Sequence, residues 1–418
     1  MMLLWRLKRA ARRLPILLLL LTVAPFLVEV LVHAWRYRVP QPAAELDPPF
    51  FASCQEPDVN AERENAVFVM LARNKERQKA KKTIRSIEAH FNQWFNYPIV
   101  FLNDEPWDTR FVTELNETAG GKGIFEVIPK EQWTFPDWID PDAAKQSIKE
   151  QGEAGIPHAG QEGYHHMCRF YSGKFYQLDA LKKYKWYWRL EPDVDFTCAI
   201  TYDPFVQMAK HEKVYGYTIA LWEVGRSCPG LFRATTEWKK MRGVSTTSLW
   251  RAMVEASWMP FPFRRLLSWI PHRDEHGDAW SLCHYWSNFE IADMDFFRSR
   301  AYQDYFEYLD DKGGFYNERW GDAVVHSLAI AMLANPQQVH HFEDIGYRHD
   351  KFYQCPANAP DGQLPDSLAL ADNKPWSPEI TGGVGCRCEC KSESPRNYDS
   401  YCHDRLRQPN ARKRGWFS

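Results

Sequence analysis

Short apolar segments alternate with amphipathic ones along the part of the chain that follows residue 63. The uncharged apolar segments are typical of strands buried on both faces of a sheet, and the amphipathic ones of helices. In order, the pattern predicts a strand at 66–72, a helix at 76–91, a strand at 97–102, a helix at 107–115 and a strand at 125–128. This alternation predicts an open α/β sheet.

Ligands of open α/β sheets bind beyond the carboxyl ends of the strands. The loops that open at Arg73-Asn74 and at Asn103-Asp104-Glu105 are therefore candidate parts of a binding site.

The middle of the chain predicts a helix at 160–180 and a strand at 184–190. The segment 228–278 is rich in Arg and Trp, and we expect an irregular, inserted lobe there. We expect regular secondary structure again at 284–297, and the sequence shows no internal repeat.

The N-terminus predicts a membrane anchor. Five cations occur within the first 13 residues, and Leu14–Ala34, whose one acidic residue is Glu29, is long enough to cross a bilayer. Cations before the span favour a cytosolic N-terminus with the rest of the chain across the membrane. A cleaved signal peptide is the alternative, although no cleavage motif of the A-x-A type follows the apolar run. The Pro-rich residues 35–62 then predict a stem.

This orientation places ten cysteines in an oxidising lumen, where disulfides form. An even count is compatible with five bridges, but it does not define their pairing. Cys386, Cys388 and Cys390 alternate, which favours disulfides over the paired spacing of a zinc site. The sequon at Asn116 predicts N-glycosylation in a lumenal loop.

The charge and composition of the chain argue against a nucleic-acid-binding function. The formal charge is 52 − 54 = −2, so no basic field points to a nucleic-acid partner. Aromatic residues make up 15% of the chain, which suits a large core or stacking against flat ligands and sugar rings.

Carboxylates at the end of a predicted strand are the clearest candidate chemistry. Glu191-Pro192-Asp193 follows the strand at 184–190. Such acids can hold a divalent cation and leave open positions for a diphosphate. The alternative is a pair of acids in a solvated turn.

Three further segments carry candidate residues. In 286–295, Glu290 lies among aromatic and apolar residues, and a helix cap at Ser287 or Asn288 is the alternative. Residues 313–322 combine glycines, aromatics, an Arg and an Asp, which suits either a sugar site or a tight turn. The histidines at 340, 341 and 349 could bind a transition metal.

Taken together, these segments resemble fungal glycosyltransferase family 15, the Golgi α-1,2-mannosyltransferases. The matching blocks occur in order between residues 63 and 356. They are NAVFVMLARN (65–74), SIEAHFNQWFNYPIVFLNDEPW (86–107), IPKEQWTFPDWID (128–140), YHHMCRFYSGKFY (164–176), YKWYWRLEPDVDFTC (184–198), CHYWSNFEIADMDFFRS (283–299), GGFYNERWGDAVVHSLA (313–329) and HFEDIGYRHDKF (341–352).

The resemblance implies a GT-A-like nucleotide-sugar-binding mixed sheet flanked by helices, in one two-lobed catalytic body. It implies transfer of mannose from GDP-mannose to a mannosylated glycoprotein, with retention of configuration and with Mn²⁺. It also implies a single-pass type II protein of the Golgi membrane whose catalytic domain, 63–356, is lumenal. The segments at 228–278 and 357–418 differ from the family pattern, the latter as a Cys-containing extension.

The resemblance assigns a role to each candidate residue. Glu191 and His349 are the implied Mn²⁺ ligands, and Glu290 is the implied catalytic carboxylate. The implied nucleotide and donor contacts are Arg73, Asp193 and Asp322, and the implied acceptor or diphosphate contacts are Tyr164 and Arg169.

Two mechanisms give retention. Glu290 could attack as a nucleophile, or it could stabilise an oxocarbenium-like centre during front-side attack, which we favour. A non-catalytic glycan-binding relative and a glycoside hydrolase are the alternatives to a transferase.

Overall fold

The computed structural model describes residues 2–38, 49–51, 54–360, 377–389 and 401–407. Residues 39–48 and 52–53 of the predicted stem, and Cys390, lie outside these ranges. The described helices are α1 (Met2–Arg36), α2 (Arg77–Ile87), α3 (Gln93–Phe95), α4 (Thr109–Thr118), α5 (Pro141–Glu153), α6 (Glu162–Gly173), α7 (Asp179–Lys182), α8 (Pro204–Lys210), α9 (Leu231–Met241), α10 (Ser248–Met253), α11 (Met294–Arg298), α12 (Arg300–Asp311), α13 (Gly314–Asn317), α14 (Asp322–Leu333) and α15 (Tyr401–Arg407).

The described strands form one large sheet and three small ones. The strands are β1 (Ala66–Leu71), β2 (Ile99–Asn103), β3 (Gly123–Val127), β4 (Trp186–Leu190), β5 (Val194–Phe196), β6 (Tyr215–Tyr217), β7 (Ala220–Trp222), β8 (Val254–Glu255), β9 (Ala279–Trp280), β10 (Cys283–Tyr285), β11 (Ile291–Asp293), β12 (Val339–His341), β13 (Tyr347–His349) and β14 (Phe352–Gln354).

The large sheet has the order β12-β6-β11-β4-β1-β2-β3. β3, β2, β1 and β4 are parallel, whereas β11 runs antiparallel to both β4 and β6. The small sheets are β10-β7, β14-β13-β5 and β8-β9. A mixed sheet flanked by helices confirms the predicted α/β class.

Side-chain alternation along the central strands builds a core on each face of the sheet. On β4, Trp186, Trp188 and Leu190 join β1 side chains under α2 and α4. Tyr187 faces the opposite core, which packs against α6, α12 and α14. The remaining side chain on that face, Arg189, is a cation and therefore needs buried partners.

The predicted strands and helices before residue 190 are confirmed, with boundaries shifted by a few residues. The helix predicted at 76–91 is α2 followed by a π-helical turn at Glu88–Asn92. The helix predicted at 160–180 ends at Gly173 and is followed by a 3-10 turn and α7.

Two expectations for the second half are wrong. The segment 228–278 is not irregular, because it contains α9 and α10, and α9 buries Leu231, Thr235 and Trp238 at helical spacing. No helix is capped by Ser287 or Asn288, since the described chain next forms β11, which pairs on both sides.

Three disulfides are described: Cys54–Cys386, Cys198–Cys388 and Cys283–Cys402. They confirm disulfides rather than zinc at Cys386 and Cys388, and they tie the C-terminal extension to the body. Five bridges do not form, because the thiols of Cys168 and Cys228 are free and buried.

The N-terminal helix α1 contains a segment, Leu18–Arg36, that is long and apolar enough to cross a membrane. Most of its side chains are exposed, whereas a core helix would bury them.

Candidate active site

A cleft of about 190 Å³ opens at the carboxyl ends of β1, β2 and β4, where the sequence predicts a binding site. Its lining comes from the loops after these strands and from the start of α6. It includes Arg73, Glu76, Asp104, Trp133, Gly163, Tyr164 and Glu191.

Arg73 and the first turn of α6 form one wall of the cleft. A Cβ atom on Gly163 would lie 2.6 Å from a terminal nitrogen of Arg73, so glycine lets the guanidinium approach the helix. The backbone N–H of Arg73 donates to Oε2 of Glu76 at 2.9 Å, which holds the loop. A guanidinium next to a helix N-terminus suits an anionic group such as a phosphate.

Tyr164 is held from both sides. Its ring stacks on His158 with centroids 4.9 Å apart, and its hydroxyl accepts a hydrogen bond from Arg319 at 3.4 Å. Arg319 belongs to the 313–322 segment and is paired with Glu223 at 2.9 Å. Burial raises the pKa of Tyr164, so the phenol stays neutral at ordinary pH. The 313–322 segment thus supports the cleft from behind.

Arg189 connects several of the predicted site residues. Its Nε donates to Oε1 of Glu191 at 2.7 Å, and its terminal nitrogen donates to Ser287 Oγ at 3.3 Å and to the Asp322 carboxylate. Its guanidinium carbon lies 3.7 Å from the ring centroid of Tyr171. These partners satisfy a cation that is itself buried.

The two carboxylates on Arg189 have opposite pKa shifts. Burial raises the pKa of Glu191 despite the attraction of Arg189. Burial acts in the same direction on Asp322, but Arg189, His326 and the hydrogen bond from Ser287 outweigh it, so the pKa of Asp322 is lowered. Glu191 faces the cleft and therefore has room for a further cation to stabilise its charge.

His349 lies on β13 opposite Val194, three residues after Glu191. Its ring stacks on Trp286 with centroids 5.2 Å apart, and its Nδ1 lies 2.9 Å from the side-chain amide of Asn288. Burial lowers the pKa of His349 and favours the neutral imidazole that binds metals. A half-turn of the Asn288 amide would present its oxygen to Nδ1 and leave Nε2 for a cation.

A carboxylate such as that of Glu191 and a neutral imidazole such as that of His349 are donor types that a Mn²⁺ ion can accept. Within the described ranges, no three His, Cys, Asp or Glu side chains cluster to hold a metal by themselves. A cation there would need oxygens from a ligand, such as a diphosphate. The other two predicted histidines have different neighbours: His340 stacks on Phe50, and the ring of His341 meets that of His403 edge to face.

Glu290 is fully buried, and its side-chain partners come from β4, β6 and α14. Its Oε1 accepts from the Tyr187 hydroxyl at 2.8 Å, and its Oε2 accepts from the Tyr215 hydroxyl at 3.0 Å and lies 3.1 Å from Nδ1 of His326. Its backbone carbonyl accepts the N–H of Arg189 at 2.9 Å, which joins it to the network around Glu191.

The structure does not bring every predicted residue into the cleft. Arg169 forms two hydrogen bonds, of 2.7 and 2.8 Å, with the buried carboxylate of Asp310. Asp193 has a left-handed backbone (φ 73°) and pairs with Lys79 and Lys82 at 3.5 and 3.2 Å. Asp322 is not among the residues that line the cleft, and it contacts Arg189 and Ser287 instead.

The glycosylation sequon lies on a helix and not in a loop. Asn116 is in the last turn of α4, where its Oδ1 accepts the N–H of Gly123 at 3.0 Å. The amide is half-buried, because it also joins α4 to β3.

One residue next to the cleft, Arg189, was not predicted from the sequence, whereas a second, Asn103, begins one of the predicted loops. Arg189 could have been found as a cation within a strand otherwise made of apolar and aromatic residues. Asn103 ends β2 with a fully buried side chain, and both polar atoms of its amide lack hydrogen-bond partners among the described residues. Unpaired buried amides are costly unless a ligand satisfies them.

A family model described as glycolipid 2-alpha-mannosyltransferase matches residues 39–361 of this chain. The chain belongs to glycosyltransferase family 15. As a family 15 member it is a glycosyltransferase that transfers mannose, and the predicted resemblance is confirmed.

Curated family 15 relatives match most of the chain. Alpha-1,2 mannosyltransferase KTR1 of Saccharomyces cerevisiae is 39% identical over 390 residues, which cover 91% of this chain and 90% of that protein. The O-glycoside alpha-1,2-mannosyltransferase homolog 4 of Schizosaccharomyces pombe is 38% identical over 405 residues, covering 90% and 86%.

Solved family 15 structures share the fold. Core-mannan synthase A of Aspergillus fumigatus, in its Mn/GDP form, superposes with a TM-score of 0.67 at 31% identity, covering 88% of this chain and 90% of that one. Mannosyltransferase Ktr4p of S. cerevisiae in complex with GDP has a TM-score of 0.65 at 32% identity, covering 80% and 83%. The predicted GT-A-like architecture is confirmed.

Proposed function

We propose that this protein is a retaining α-1,2-mannosyltransferase that transfers mannose from GDP-mannose to a mannose hydroxyl of N-linked or O-linked glycans on proteins. The observation that carries this proposal is the cleft in which Arg73, the N-terminus of α6 and Glu191 meet beyond the parallel strands. Solved relatives bind GDP and Mn, and the same chemistry suits this cleft.

The diphosphate would lie between Arg73 and Glu191. Glu191 and His349 would hold Mn²⁺, whose charge would stabilise the departing GDP. Arg189 orients the Glu191 carboxylate, and Asp322 with Ser287 holds Arg189 in place. We therefore assign Asp322 a positioning role toward the donor, and Asp193 a role in fixing the turn after Glu191.

The acceptor would enter on the side of Tyr164, whose hydroxyl and ring are fixed by Arg319 and His158. Arg169 would support that wall from behind through Asp310, rather than contact sugar.

The surroundings of Glu290 favour front-side transfer. Its two carboxylate oxygens face three donor groups and are enclosed by the core, so an attack by either oxygen would break hydrogen bonds in a buried site. A fixed negative charge can instead stabilise positive charge on the donor sugar without moving. The acceptor hydroxyl would then pass its proton to the departing diphosphate.

We further propose a single-pass type II protein of the Golgi membrane. The apolar segment Leu18–Arg36 and the cations before residue 14 support this topology. Disulfides on the body support an oxidising lumen for it. The stem, at 35–62, would join the anchor to a catalytic domain at 63–356, with 357–418 as an extension tied by disulfides.

The decisive test uses the full chain in detergent micelles with GDP-mannose, Mn²⁺ and methyl α-mannoside. We expect an α-linked disaccharide by NMR, and we expect EDTA to abolish its formation. A β-linked product would contradict retention. Release of mannose from mannosides without nucleotide would indicate a hydrolase, and glycan binding without any turnover would indicate a non-catalytic relative.

A further inference from the structure

The inserted segment contacts the N-terminal helix well inside its apolar part. Arg264 pairs with Glu29 at 2.6 Å, and the backbone N–H of Phe261 donates to the same carboxylate at 3.0 Å. The rings of Phe263 and Phe26 lie 6.1 Å apart. A second contact joins His33 to the buried Asp278 at 2.7 Å. The body is therefore packed against α1 itself.

These contacts place the insertion beside the bilayer. Phe26 precedes the end of the predicted span at Ala34 by eight residues, a rise of about 12 Å along a helix. Half of the hydrocarbon core measures about 15 Å. If α1 crosses the membrane, the segment around Phe263 lies at the level of the lumenal leaflet.

The surface of this segment is apolar and aromatic. Trp258, Leu266 and Trp269 are 77%, 66% and 80% exposed. Together with the exposed Met259, Phe261 and Phe263 they form what we call the aromatic loop, residues 258–269. An apolar surface of this density is unusual on a protein that faces only water.

The charges of the aromatic loop fit a membrane surface. Residues 258–269 contain Arg264 and Arg265 and no acid. Arg264 neutralises Glu29, which would otherwise be an unpaired charge in an apolar span. Arg265 lies over the Phe261 ring at 5.1 Å and suits lipid phosphates. Tryptophans concentrate at the boundary between head groups and hydrocarbon.

We propose that the aromatic loop inserts into the lumenal leaflet beside α1, so that the catalytic body docks on the bilayer. This inference rests on the proposed membrane anchor. It assigns the exposed side chains of Trp258 and Trp269 to lipid contact, and it assigns Glu29 to recognition of the loop. The body then meets its acceptors at a fixed height above the membrane.

The test places an environment-sensitive NBD dye at single cysteines in the full chain reconstituted into phosphatidylcholine liposomes. The variants are W258C and W269C, with L20C in the anchor as positive control and W138C as a matched exposed tryptophan that contacts Arg169 and Asp310. The native free thiols are buried and should not react. GDP binding verifies that each labelled chain is folded.

Lipids that carry a doxyl group near the head should quench the dye at positions 258, 269 and 20 several-fold more than at 138. Quenching at 20 without quenching at 258 and 269 would overturn the inference and leave the anchor intact. No quenching at 20 would overturn the anchor and the inference together. If soluble mannosides, and not lipid, protected the dye at positions 258 and 269 from quenching by aqueous iodide, the inference would be overturned. The aromatic loop would then bind the acceptor glycan.

Because the dye is itself apolar, hydrogen exchange of the unlabelled chain provides an independent readout. We expect backbone amides in 258–269 of the full chain to exchange more slowly in lipid nanodiscs than in amphipol, which keeps α1 and its contacts with Phe261 and Arg264 in place but supplies no bilayer. Equal exchange in both states would also overturn the inference.

Discussion

The Nε atom of Arg189 lies 2.7 Å from Oε1 of Glu191, two residues further along the chain. A buried cation at the end of a strand therefore orients the carboxylate that faces the cleft. The same guanidinium binds Asp322 and Ser287, so residues from three separate segments converge on one side chain.

Replacing Arg189 with lysine keeps the charge but loses the planar fork of donors. We expect R189K to lower the affinity for Mn²⁺ in the presence of GDP by about 10- to 100-fold, which is the usual cost of losing a group that orients a metal ligand. Calorimetric titration of Mn²⁺ with GDP measures this. R242K is the matched control, because Arg242 pairs with Asp304 at the surface, and an equal effect of both variants would contradict the assignment.

Glu290 can be tested by substitutions that keep its shape. We expect E290Q to keep its affinity for GDP with Mn²⁺ and to lose roughly 100-fold or more in kcat, because fixed charge near the reacting carbon is removed. Y187F, which removes one donor to Glu290, should lose about fivefold, equivalent to about 1 kcal/mol. Normal turnover by E290Q would show that this carboxylate has no part in transfer.

The Cys283–Cys402 disulfide should contribute strongly to stability. It closes a loop with a sequence separation of 119 residues and fastens α15 to β10. Chain entropy predicts a loss of about 4 to 5 kcal/mol for the double variant C283A/C402A, measured by urea unfolding. C168A, which removes a buried free thiol, should cost less. A double variant no less stable than C168A would contradict this.

The buried His284 predicts a pH dependence of stability. Burial lowers its pKa, so below about pH 6.5 the unfolded chain binds a proton that the native chain does not. Stability should therefore fall as the pH decreases through this region. We expect H284Q to have a shallower slope of Tm between about pH 7 and pH 5. Equal slopes for the two proteins would contradict this, because they would mean that His284 takes up its proton over the same pH range in the native and unfolded states.

Structural features that depend on one continuous stretch of sequence could be predicted from the sequence. β1 and β2 are encoded by apolar runs, and β4 by a run of aromatic and apolar residues with one cation, and the cleft lies at the carboxyl ends of those runs. The turn after β4 similarly presents Glu191 as predicted. These features need only one stretch of chain and the general geometry of parallel sheets.

Long-range partners could not be predicted in this way. Nothing near Arg169 in the sequence indicates that Asp310 would take its guanidinium, 141 residues away. The three donors to Glu290 come from β4, β6 and α14, which only the folded sheet brings together. In 228–278, dense Arg and Trp residues masked the helical spacing of α9.

The disulfide between Cys54 and Cys386 has a consequence for the timing of biosynthesis. The two cysteines are separated by 332 residues. At about 5 to 20 residues per second, the ribosome needs roughly 17 to 66 s to add the second after the first. With the proposed topology, Cys54 enters the lumen as a reactive thiol and cannot pair with Cys386 until nearly the whole chain has followed. A nascent chain that ends before Cys386 cannot form this bond. The missing bond would therefore distinguish an incomplete chain from a finished one during quality control.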